Sequence, residues 1–480
     1  MAAAAALATG LSLAAVTVPV TAATTAGSLA GTCTATYRQI GSWNGGFQSE
    51  VVVTNPGTTP LTGWTVTLTL PAGAAISSLW NGVNSGTTGT VTVANAGYNG
   101  AVGAGQSTSF GFTGTGSGSG ATASCPTGSS PTPTPTPPGS VLAQAHTTGR
   151  VKDQGGSVQY TWPGVSFEGR FHGTGVGIVL NDAGNDYDIQ IDNATPATLR
   201  APGRTTHWIG NLGNADHTVR IAKRTEGPWA AGEFGGFVAA SGGSILAKPA
   251  PRTRQIEFIG DSWTAGYGNM STNRDCGGSG GVNPNSNADQ TFGALAARGL
   301  NADYQITAWS GMGMVRNYNG GNAGTDFRTY YDRTLQAVDT SVWQKPSSWK
   351  PQVIVIGLGI NDFSTALNSG EPWANADALA AAYRSAYLGF LDKLRTRYGS
   401  NAYIVLTYPT LSNTTAMADS VQQIVQQRNS QGDSRVKSLH YDNAALGLDL
   451  LGCDWHPSLH DHRILAGSVT SFLGTLAVTW

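Results

Sequence analysis

The residues best suited to chemistry are a serine near the middle of the chain and a histidine near its end. Ser262 follows an apolar run and stands in the Gly-Asp-Ser sequence at 260–262, and His456 belongs to the Asp-Trp-His-Pro sequence at 454–457. A serine hydroxyl becomes an effective nucleophile only beside a base. His456 can be that base, and Asp454 can fix its tautomer if the loop turns both side chains the same way. These residues predict acyl transfer through a serine nucleophile.

Two further motifs offer hydrogen-bond donors to such a reaction. Gly311, in the Ser-Gly-Met-Gly sequence at 310–313, can bring its backbone N–H close to a ligand because it has no Cβ. Asn361, in the Gly-Ile-Asn-Asp sequence at 359–362, can offer a side-chain amide. With the backbone N–H of Ser262, these groups predict an oxyanion hole of three donors. Each residue also has a plainer explanation, which is a helix N-cap for Ser262 or Asn361 and a turn for Gly311.

A metal-dependent mechanism is the competing prediction for the same segment. His456, His460 and His462 offer imidazoles at spacings that can bind zinc, and metal-dependent polysaccharide deacetylases use a similar pair of histidines with an aspartate. No matching upstream aspartate motif is evident, and this reading gives Ser262 no role. We therefore expect a serine mechanism without a metal or other cofactor.

The motifs lie in a stretch where predicted strands and helices alternate. Apolar runs predict four strands, at 255–259, 305–309, 353–358 and 403–407. Helical composition marks 376–397 and 416–427. The first three strands lead directly into the serine, glycine and asparagine motifs. This pattern predicts an α/β domain with a doubly wound parallel sheet over residues 251–480, in which ligands lie beyond the carboxyl ends of the strands.

Taken together, these four motifs resemble those of the SGNH hydrolase superfamily across residues 252–480. Trp263 after the serine, Cys453 before the Asp-Trp-His-Pro sequence and the preceding β-rich segment make the chain look more narrowly like carbohydrate esterase family 2, whose members deacetylate xylan and glucomannan. The resemblance implies that Ser262 is the nucleophile, His456 the base and Asp454 the carboxylate that orients it. It also implies that Gly311 and Asn361 belong to the oxyanion hole.

One departure concerns the orienting carboxylate. Many SGNH enzymes place the aspartate three residues before the histidine, where this chain has Cys453. The two-residue offset of Asp454 fits family 2, some of whose members work with a Ser-His dyad. Trp309, Trp373 and Trp455 are residues that can either line a sugar cleft or pack in the core.

The segment at 27–125 has a different character. Its charged residues are Arg38 and Glu50, and short runs alternate apolar with hydroxyl side chains, which predicts an antiparallel β-sandwich. Trp43, Trp80 and Tyr98 each stand beside Asn and Gly, where a buried ring finds little apolar packing. Exposed rings of this kind can stack on sugars.

The spacing of those three rings resembles bacterial family 2 cellulose-binding modules over residues 31–125. The resemblance includes a terminal cysteine pair, and it implies that Trp43, Trp80 and Tyr98 form the cellulose-binding strip. Trp64, within an apolar strand, is expected in the core.

Composition shifts divide the rest of the chain. Residues 1–26 are an uncharged apolar run ending in small residues and predict a signal peptide, although no basic residue precedes Arg38. Residues 126–140 alternate Pro with Thr or Ser and predict an extended linker. Residues 141–250 show strand patterning and predict a second, jelly-roll-like β-sandwich.

Four cysteines allow three pairings, and export makes disulfides their expected use. The linker separates them into two pairs, so we expect a bridge between Cys33 and Cys125 and another between Cys276 and Cys453. A formal net charge of -1 argues against a nucleic acid or an anionic membrane as partner. We expect a secreted monomer acting on acetylated hemicellulose while bound to cellulose. A lipid or aryl esterase and a noncatalytic adhesion protein are the other classes that this pattern allows.

Overall fold

The computed structural model describes residues 33–61, 63–96, 99–125 and 141–480. The predicted signal peptide at 1–26, the predicted linker at 126–140 and Tyr98 lie outside the described residues. Three units follow one another along the chain, and the predicted fold class is confirmed: two β-sandwiches precede an α/β domain. Among the described residues, no helix combines the length and apolarity needed to cross a membrane.

The first unit consists of two antiparallel sheets. In β2, alternate residues are buried because successive side chains of a strand point to opposite faces. Phe47, Val51 and Phe112 fill the space between the sheets together with Trp64, which stacks on Phe110 at 5.7 Å. A disulfide joins Cys33 to Cys125 at the two ends of the unit. The sheets have the strand orders β1-β2-β7-β4 and β5-β6-β3-β8. The strands are β1 (Thr34–Trp43), β2 (Gly46–Thr54), β3 (Thr65–Thr69), β4 (Ala75–Trp80), β5 (Gly82–Asn84), β6 (Thr90–Asn95), β7 (Ser107–Thr115) and β8 (Thr122–Ser124).

The middle unit is a second antiparallel sandwich that begins with a short helix. Its sheets have the orders β10-β11-β18-β13-β16 and β15-β14-β17-β12-β19, with β9 paired to β12. Stacked aromatic rings, such as Phe167 on Phe234 at 4.1 Å, occupy the space between them. The elements are α1 (Val141–Gln144), β9 (His146–Thr148), β10 (Lys152–Asp153), β11 (Val158–Tyr160), β12 (Ser166–Gly173), β13 (Val176–Asp182), β14 (Tyr187–Ile191), β15 (Ala197–Leu199), β16 (Gly203–Ile209), β17 (Ala215–Lys223), β18 (Gly232–Ala239) and β19 (Ser244–Ile245).

The last unit is built on a five-stranded parallel sheet of order β21-β20-β22-β23-β24. Its central strands are buried along nearly their whole length, as expected for a sheet covered on both faces. The strands are β20 (Arg254–Gly260), β21 (Ala302–Ala308), β22 (Val353–Gly357), β23 (Tyr403–Pro409) and β24 (Val436–Tyr441). The helices are α2 (Ser262–Ala265), α3 (Phe292–Gly299), α4 (Phe327–Tyr331), α5 (Ile360–Phe363), α6 (Ala376–Tyr398), α7 (Ala416–Ser430) and α8 (Leu459–Gly474).

The middle and last units share one hydrophobic core. A single cluster of buried apolar side chains runs from Trp162 and Phe167 in the sandwich to Phe327 and Ile356 in the α/β domain. Paired charges cross the same boundary: Arg150 lies 3.1 Å from Glu257, and Arg220 makes two hydrogen bonds of 2.8 and 2.7 Å to Asp289. Because these charged groups are largely buried as pairs, separating the two units would expose uncompensated charges.

The first unit has a separate core and touches the middle unit through polar side chains. Trp208 donates to the side chain of Asn84 at 2.7 Å, and the hydroxyls of Ser78 and Thr205 are 3.1 Å apart. Deleting the first unit would therefore uncover part of the sandwich, so single-residue changes test its role more cleanly than truncation.

Candidate active site

Ser262 lies at the turn where the buried strand β20 meets the short helix α2. Asp261 caps that helix by accepting the N–H of Trp263 at 3.1 Å. A Cβ at Gly260 would come within 2.1 Å of Thr264 Oγ1, so only glycine lets the helix fold back this closely. Burial raises the pKa of Asp261 to about 7. The turn holds the Ser262 hydroxyl at the carboxyl end of the sheet.

His456 is in hydrogen-bond contact with this serine. Its Nε2 lies 2.8 Å from Ser262 Oγ, although the two residues are 194 positions apart. The histidine follows a tight turn in which Asp454 and Trp455 have φ values of 52° and 65°, in the left-handed region that non-glycine residues rarely adopt. Burial lowers the pKa of His456 below that of a free imidazole, which favours the neutral form that can accept a proton.

A disulfide fixes the position of the histidine turn. Cys453, three residues before His456, is bonded to Cys276 in the segment that follows the serine helix. The backbone N–H of Cys453 also donates to Gly268 O at 3.1 Å, and a Cβ at Gly268 would come within 2.4 Å of the Cys453 sulfur. The two loops that carry serine and histidine are thus tied covalently and packed together.

The structure does not bring the Asp454 carboxylate to the imidazole. That carboxylate is exposed and accepts the Tyr267 hydroxyl at 2.8 Å. The Nδ1 atom of His456 instead lies 2.9 Å from Cys453 O and 3.2 Å from Asp454 O, both of the main chain. The ring of Tyr267 lies 4.4 Å from the imidazole and covers one side of it. In this structure the contacts to His456 Nδ1 therefore come from main-chain oxygens and not from the Asp454 carboxylate.

The predicted oxyanion donors lie at the ends of neighbouring strands. No acceptor among the described residues takes the backbone N–H of Ser262 or of Gly311, which has a φ of 80°. Asn361 is buried within α5, and its Nδ2 donates to Met312 O at 2.9 Å, with Asp261 Oδ2 at 3.5 Å. It is not the N-cap of that helix, a position that Gly359 holds. The amide thus links the loop of Gly311 to the loop of Ser262.

A second carboxylate holds the loop after Gly311. Asp362 accepts the consecutive backbone N–H groups of Met314, Val315 and Arg316 at 2.8, 2.8 and 2.9 Å. Burial raises its pKa to about 6 even though these bonds favour the charged form. Asp362 therefore acts on loop shape and does not reach the serine or the histidine.

Three exposed aromatic side chains belong to the loops that carry or contact these residues. Trp455, Tyr318 and Trp229 are 63%, 58% and 76% exposed, far more than rings in a core. Arg274 lies 3.5 Å from the centre of the Trp455 ring, and the backbone N–H of Tyr318 donates to Gly311 O at 2.9 Å. Trp309, in contrast, is only 9% exposed and contacts Trp229 edge to face. Trp373 also packs partly buried against the core, so Trp455 is the exposed member of the three predicted tryptophans.

The zinc prediction does not match the arrangement of the histidines. His456 is in hydrogen-bond contact with Ser262. His462 is buried and accepts the N–H of Phe292 at 3.1 Å, and burial lowers its pKa to about 3. His460 instead lies 3.5 Å from Asp449 and 3.4 Å from Asp461, and among the described residues these three are the group of potential metal ligands that lie close together. The three imidazoles therefore do not converge on one point.

Two of the three predicted cellulose-binding rings lie on one face of the first unit. Trp43 is 55% exposed and Trp80 is half-buried, and both point outward from the sheet that contains β1 and β4. Each indole lies directly over a glycine of the adjacent strand, because a Cβ on Gly46 or Gly111 would come within 2.4 Å of it. The glycines let the rings lie close to the sheet, and on this face Ser78, two residues before Trp80, contacts Thr205 of the middle unit. Tyr98 lies outside the described residues, so its place in the strip stays a prediction.

Sequence reasoning did not identify Tyr267, Trp229 or Tyr318 near the site. Tyr267 belongs to the short segment after the serine, and its position between serine and disulfide was a usable signal. Trp229 comes from the middle unit, and nothing in its local sequence places it beside Trp309.

Comparison with protein-family models divides the chain in the same order as the fold. Residues 33–130 match the cellulose binding domain, residues 147–249 match the carbohydrate esterase 2 N-terminal domain, and residues 256–466 match the GDSL-like lipase/acylhydrolase family. The first module is similar to endoglucanase A of Thermobispora bispora, with 55% identity over 77 residues that cover 16% of this chain and 17% of that protein.

The other two units are similar, as one piece, to known esterases. An acetylxylan esterase / glucomannan deacetylase of Cellvibrio japonicus is 38% identical over 340 residues, which are 70% of this chain and 92% of the relative. The structure of a family two carbohydrate esterase from Clostridium thermocellum in complex with cellohexaose matches with a TM-score of 0.59 at 30% identity and covers 69% of this chain and all of that one. The resemblance noted in the sequence is therefore confirmed, and the chain belongs to carbohydrate esterase family 2, as an SGNH-type esterase that carries a cellulose-binding module at its N-terminal side.

Proposed function

We propose that this enzyme removes O-acetyl groups from plant polysaccharides, such as acetylated xylan and glucomannan, through a Ser-His acyl-enzyme mechanism while it is held on cellulose. The observation that carries the mechanism is the 2.8 Å contact between His456 Nε2 and Ser262 Oγ. The substrate class is supported by the activity that names the Cellvibrio japonicus relative.

In the first half of the reaction, Ser262 Oγ attacks the carbonyl carbon of the acetyl ester while its proton moves to His456 Nε2. The negative charge that develops on the carbonyl oxygen is stabilised by the N–H groups of Ser262 and Gly311 and by one N–H of the Asn361 amide. That N–H is the one that faces Asp261 at a long 3.5 Å, because Met312 O accepts the other at 2.9 Å. Collapse of the tetrahedral intermediate breaks the ester bond, and His456 returns the proton to the departing sugar oxygen. Acetyl-Ser262 and a free sugar hydroxyl result.

In the second half, water replaces the sugar. The water oxygen attacks the carbonyl carbon of the acetyl-enzyme while His456 takes a proton from that water. The oxyanion that forms in this step is stabilised by the same donors, those of Ser262, Gly311 and Asn361. Acetate then leaves as the proton returns to Ser262 Oγ. The carbonyl oxygens of Cys453 and Asp454 accept the Nδ1 proton throughout, which keeps Nε2 free to exchange protons with Ser262.

The rim of the site suits a sugar better than a fatty acyl chain. Trp455, Tyr318 and Trp229 present exposed ring faces and edges, and aromatic rings can stack on the apolar faces of sugars. Binding of Trp43 and Trp80 to cellulose would keep the enzyme close to its polysaccharide substrate. Secretion fits this role, because the chain has two disulfides and a cellulose-binding module.

Acetate release from acetylated xylan and glucomannan tests this function, with a triglyceride and an aryl ester of a longer acid as comparison substrates. We expect polysaccharide deacetylation to dominate, and Ser262→Ala to reduce it to a few per cent or less while the melting temperature stays unchanged. Faster turnover of the triglyceride would favour a lipid esterase. Loss of activity with a chelator, but not with a serine-directed phosphonate, would contradict the serine mechanism.

A further inference from the structure

A glutamate of the middle unit reaches the loop that carries Gly311. Glu226 lies in the connection between β17 and β18, and its carboxylate accepts two hydrogen bonds from Ser310. One comes from the Ser310 backbone N–H at 2.8 Å and the other, a short one, from the Ser310 hydroxyl. Ser310 directly precedes Gly311, so this contact joins the sandwich to the oxyanion-hole loop.

The connection that carries Glu226 is itself firmly held. The Thr225 hydroxyl donates to Asn185 Oδ1 at 3.1 Å, and a Cβ at Gly227 would come within 2.6 Å of the same oxygen. Beyond the glutamate, Pro228 O accepts the N–H of Ala337 from the α/β domain at 2.9 Å. Glu226 thus projects from a segment that is fixed on both sides.

The hydrogen bonds of this carboxylate all come from Ser310, and its charge also interacts with the buried ammonium group of Lys223. Among the described residues, Ser310 is the one hydrogen-bond partner of the Glu226 side chain. Burial raises the pKa of this carboxyl group, and the two Ser310 bonds offset part of that increase. A carboxylate withdrawn from water is costly unless it is hydrogen-bonded or paired, and both hydrogen bonds of this one come from a single loop residue.

Bonds to the N–H and hydroxyl of the same residue restrict both its backbone and its side chain. The peptide group between Ser310 and Gly311 carries the Gly311 N–H, and its direction depends on the backbone angles of Ser310. Gly311 has a φ of 80° and no side chain. Two backbone bonds also hold this turn, from Met312 N–H to Trp309 O at 3.3 Å and from Tyr318 N–H to Gly311 O at 2.9 Å, but the bonds from Glu226 are the ones that hold Ser310 itself. A donor that rotates loses its alignment with the developing charge.

We propose that Glu226 is a positioning residue, which fixes Ser310 and thereby aims the Gly311 N–H into the oxyanion hole. The middle sandwich then completes the active site of the α/β domain. This inference rests on the proposed roles of Ser262 and Gly311. Glu226 does not contact substrate in this scheme; it acts through Ser310.

The test compares Glu226→Ala, Glu226→Gln and Ser310→Ala in the full chain, with kcat and KM measured separately on a small soluble acetate ester. Loss of one oxyanion donor costs about 10² to 10³ in kcat, and a displaced donor retains part of its effect. We therefore expect Glu226→Ala to lower kcat about 10- to 100-fold with KM within threefold of the original value. Glu226→Gln keeps an oxygen for the Ser310 N–H and should recover most of the rate, and Ser310→Ala should lose less than Glu226→Ala.

Glu233→Ala is the matched control. Glu233 is a glutamate of the same sandwich that accepts hydrogen bonds from Gln159 and Asn181 at 3.0 and 2.8 Å. Its loss should leave kcat within twofold. A second readout is the rate at which a phosphonate modifies Ser262, because the adduct places an oxygen in the oxyanion hole; this rate should fall in Glu226→Ala in parallel with kcat.

Two results would overturn the inference. The first is a kcat within threefold of the original in Glu226→Ala, and the second is a higher KM at unchanged kcat, which would indicate contact with substrate. Unfolding is excluded as a cause if Glu226→Gln keeps the melting temperature and the rate. An active Ser262→Ala enzyme would instead contradict the proposed function itself, so the two failures can be told apart.

Discussion

Replacing Asp454 should have a small effect on turnover compared with replacing His456. The imidazole Nδ1 faces the main-chain oxygens of Cys453 and Asp454 at 2.9 and 3.2 Å, and neither contact depends on the Asp454 side chain. The Asp454 carboxylate is exposed and accepts a hydrogen bond from the Tyr267 hydroxyl. In Asp454→Ala, water can hydrogen-bond to the Tyr267 hydroxyl in its place.

A Ser-His-Asp triad and a Ser-His dyad predict losses of kcat in Asp454→Ala that differ enough to be distinguished. Where an aspartate carboxylate holds the imidazole of a Ser-His-Asp triad, its loss lowers kcat by about 10⁴. Here we expect less than a tenfold loss for Asp454→Ala, which corresponds to under about 1.4 kcal/mol of transition-state stabilisation. His456→Ala removes the base itself and should cost at least about 10³.

The pH dependence of kcat/KM in Asp454→Ala is a second, independent test of how Asp454 acts on His456. The negative charge of Asp454 raises the pKa of His456, opposing the larger lowering caused by burial. Removing that charge lowers the imidazole pKa further, so the neutral base persists to lower pH. The acid limb of kcat/KM in Asp454→Ala should therefore move to lower pH, whereas a change that only loosened the turn would reduce the rate without this shift.

The assay is steady-state hydrolysis of a soluble acetate ester from pH 4 to 9, alongside Asp442→Ala as a control. Asp442 is another exposed turn aspartate, which accepts the N–H groups of Ala444 and Ala445 at 3.1 Å. Its loss should leave the profile unchanged. A fall for Asp454→Ala as large as that for His456→Ala would refute the assignment of His456 to a main-chain-oriented dyad.

Three other predictions concern the oxyanion hole, the base and the cellulose-binding strip. Asn361→Ala should lower kcat by about 10² to 10³ in steady-state assays, because one donor is lost. In the unmodified enzyme, kcat/KM should fall with acid at a pKa below 6.5, since burial lowers the pKa of His456 and only the neutral imidazole accepts the serine proton. Replacing Trp43, Trp80 and Tyr98 together by Ala should abolish retention on crystalline cellulose in a pull-down while leaving hydrolysis of a soluble ester unchanged. A matching drop in soluble activity would contradict the tethering role.

The sequence was most informative where strand ends carry distinctive residues. Buried β strands and the Gly-Asp-Ser sequence predict the place of Ser262 because the geometry of a parallel sheet leaves few alternatives. The predicted helix at 376–397 is observed as Ala376–Tyr398, and the one at 416–427 is observed as Ala416–Ser430. The fifth strand, Val436–Tyr441, went unpredicted because Lys437, Ser438 and His440 interrupt its apolar character and it lies at the sheet edge.

Side-chain direction within a turn was beyond sequence reasoning. Spacing alone allows Asp454 to reach His456, but the positive φ of Asp454 and of Trp455 turns the carboxylate toward Tyr267 and the carbonyl oxygens toward the imidazole. Both residues are non-glycine, so their sequence carries no sign of that backbone conformation. The disulfide to Cys276 helps to hold it.

The sequence also did not predict that the middle sandwich contributes a residue to the active site, because that contribution depends on how the sandwich packs against the α/β domain. Glu226 and Ser310 are 84 positions apart and each has an ordinary local sequence. The shared core and the Arg150–Glu257 and Arg220–Asp289 pairs hold the sandwich against the α/β domain, so a side chain from one can occupy a defined position in the other. The first unit lacks such a shared core. Binding to cellulose can therefore vary with little effect on the reacting groups, whereas changes in the sandwich are transmitted through Ser310 to the oxyanion hole.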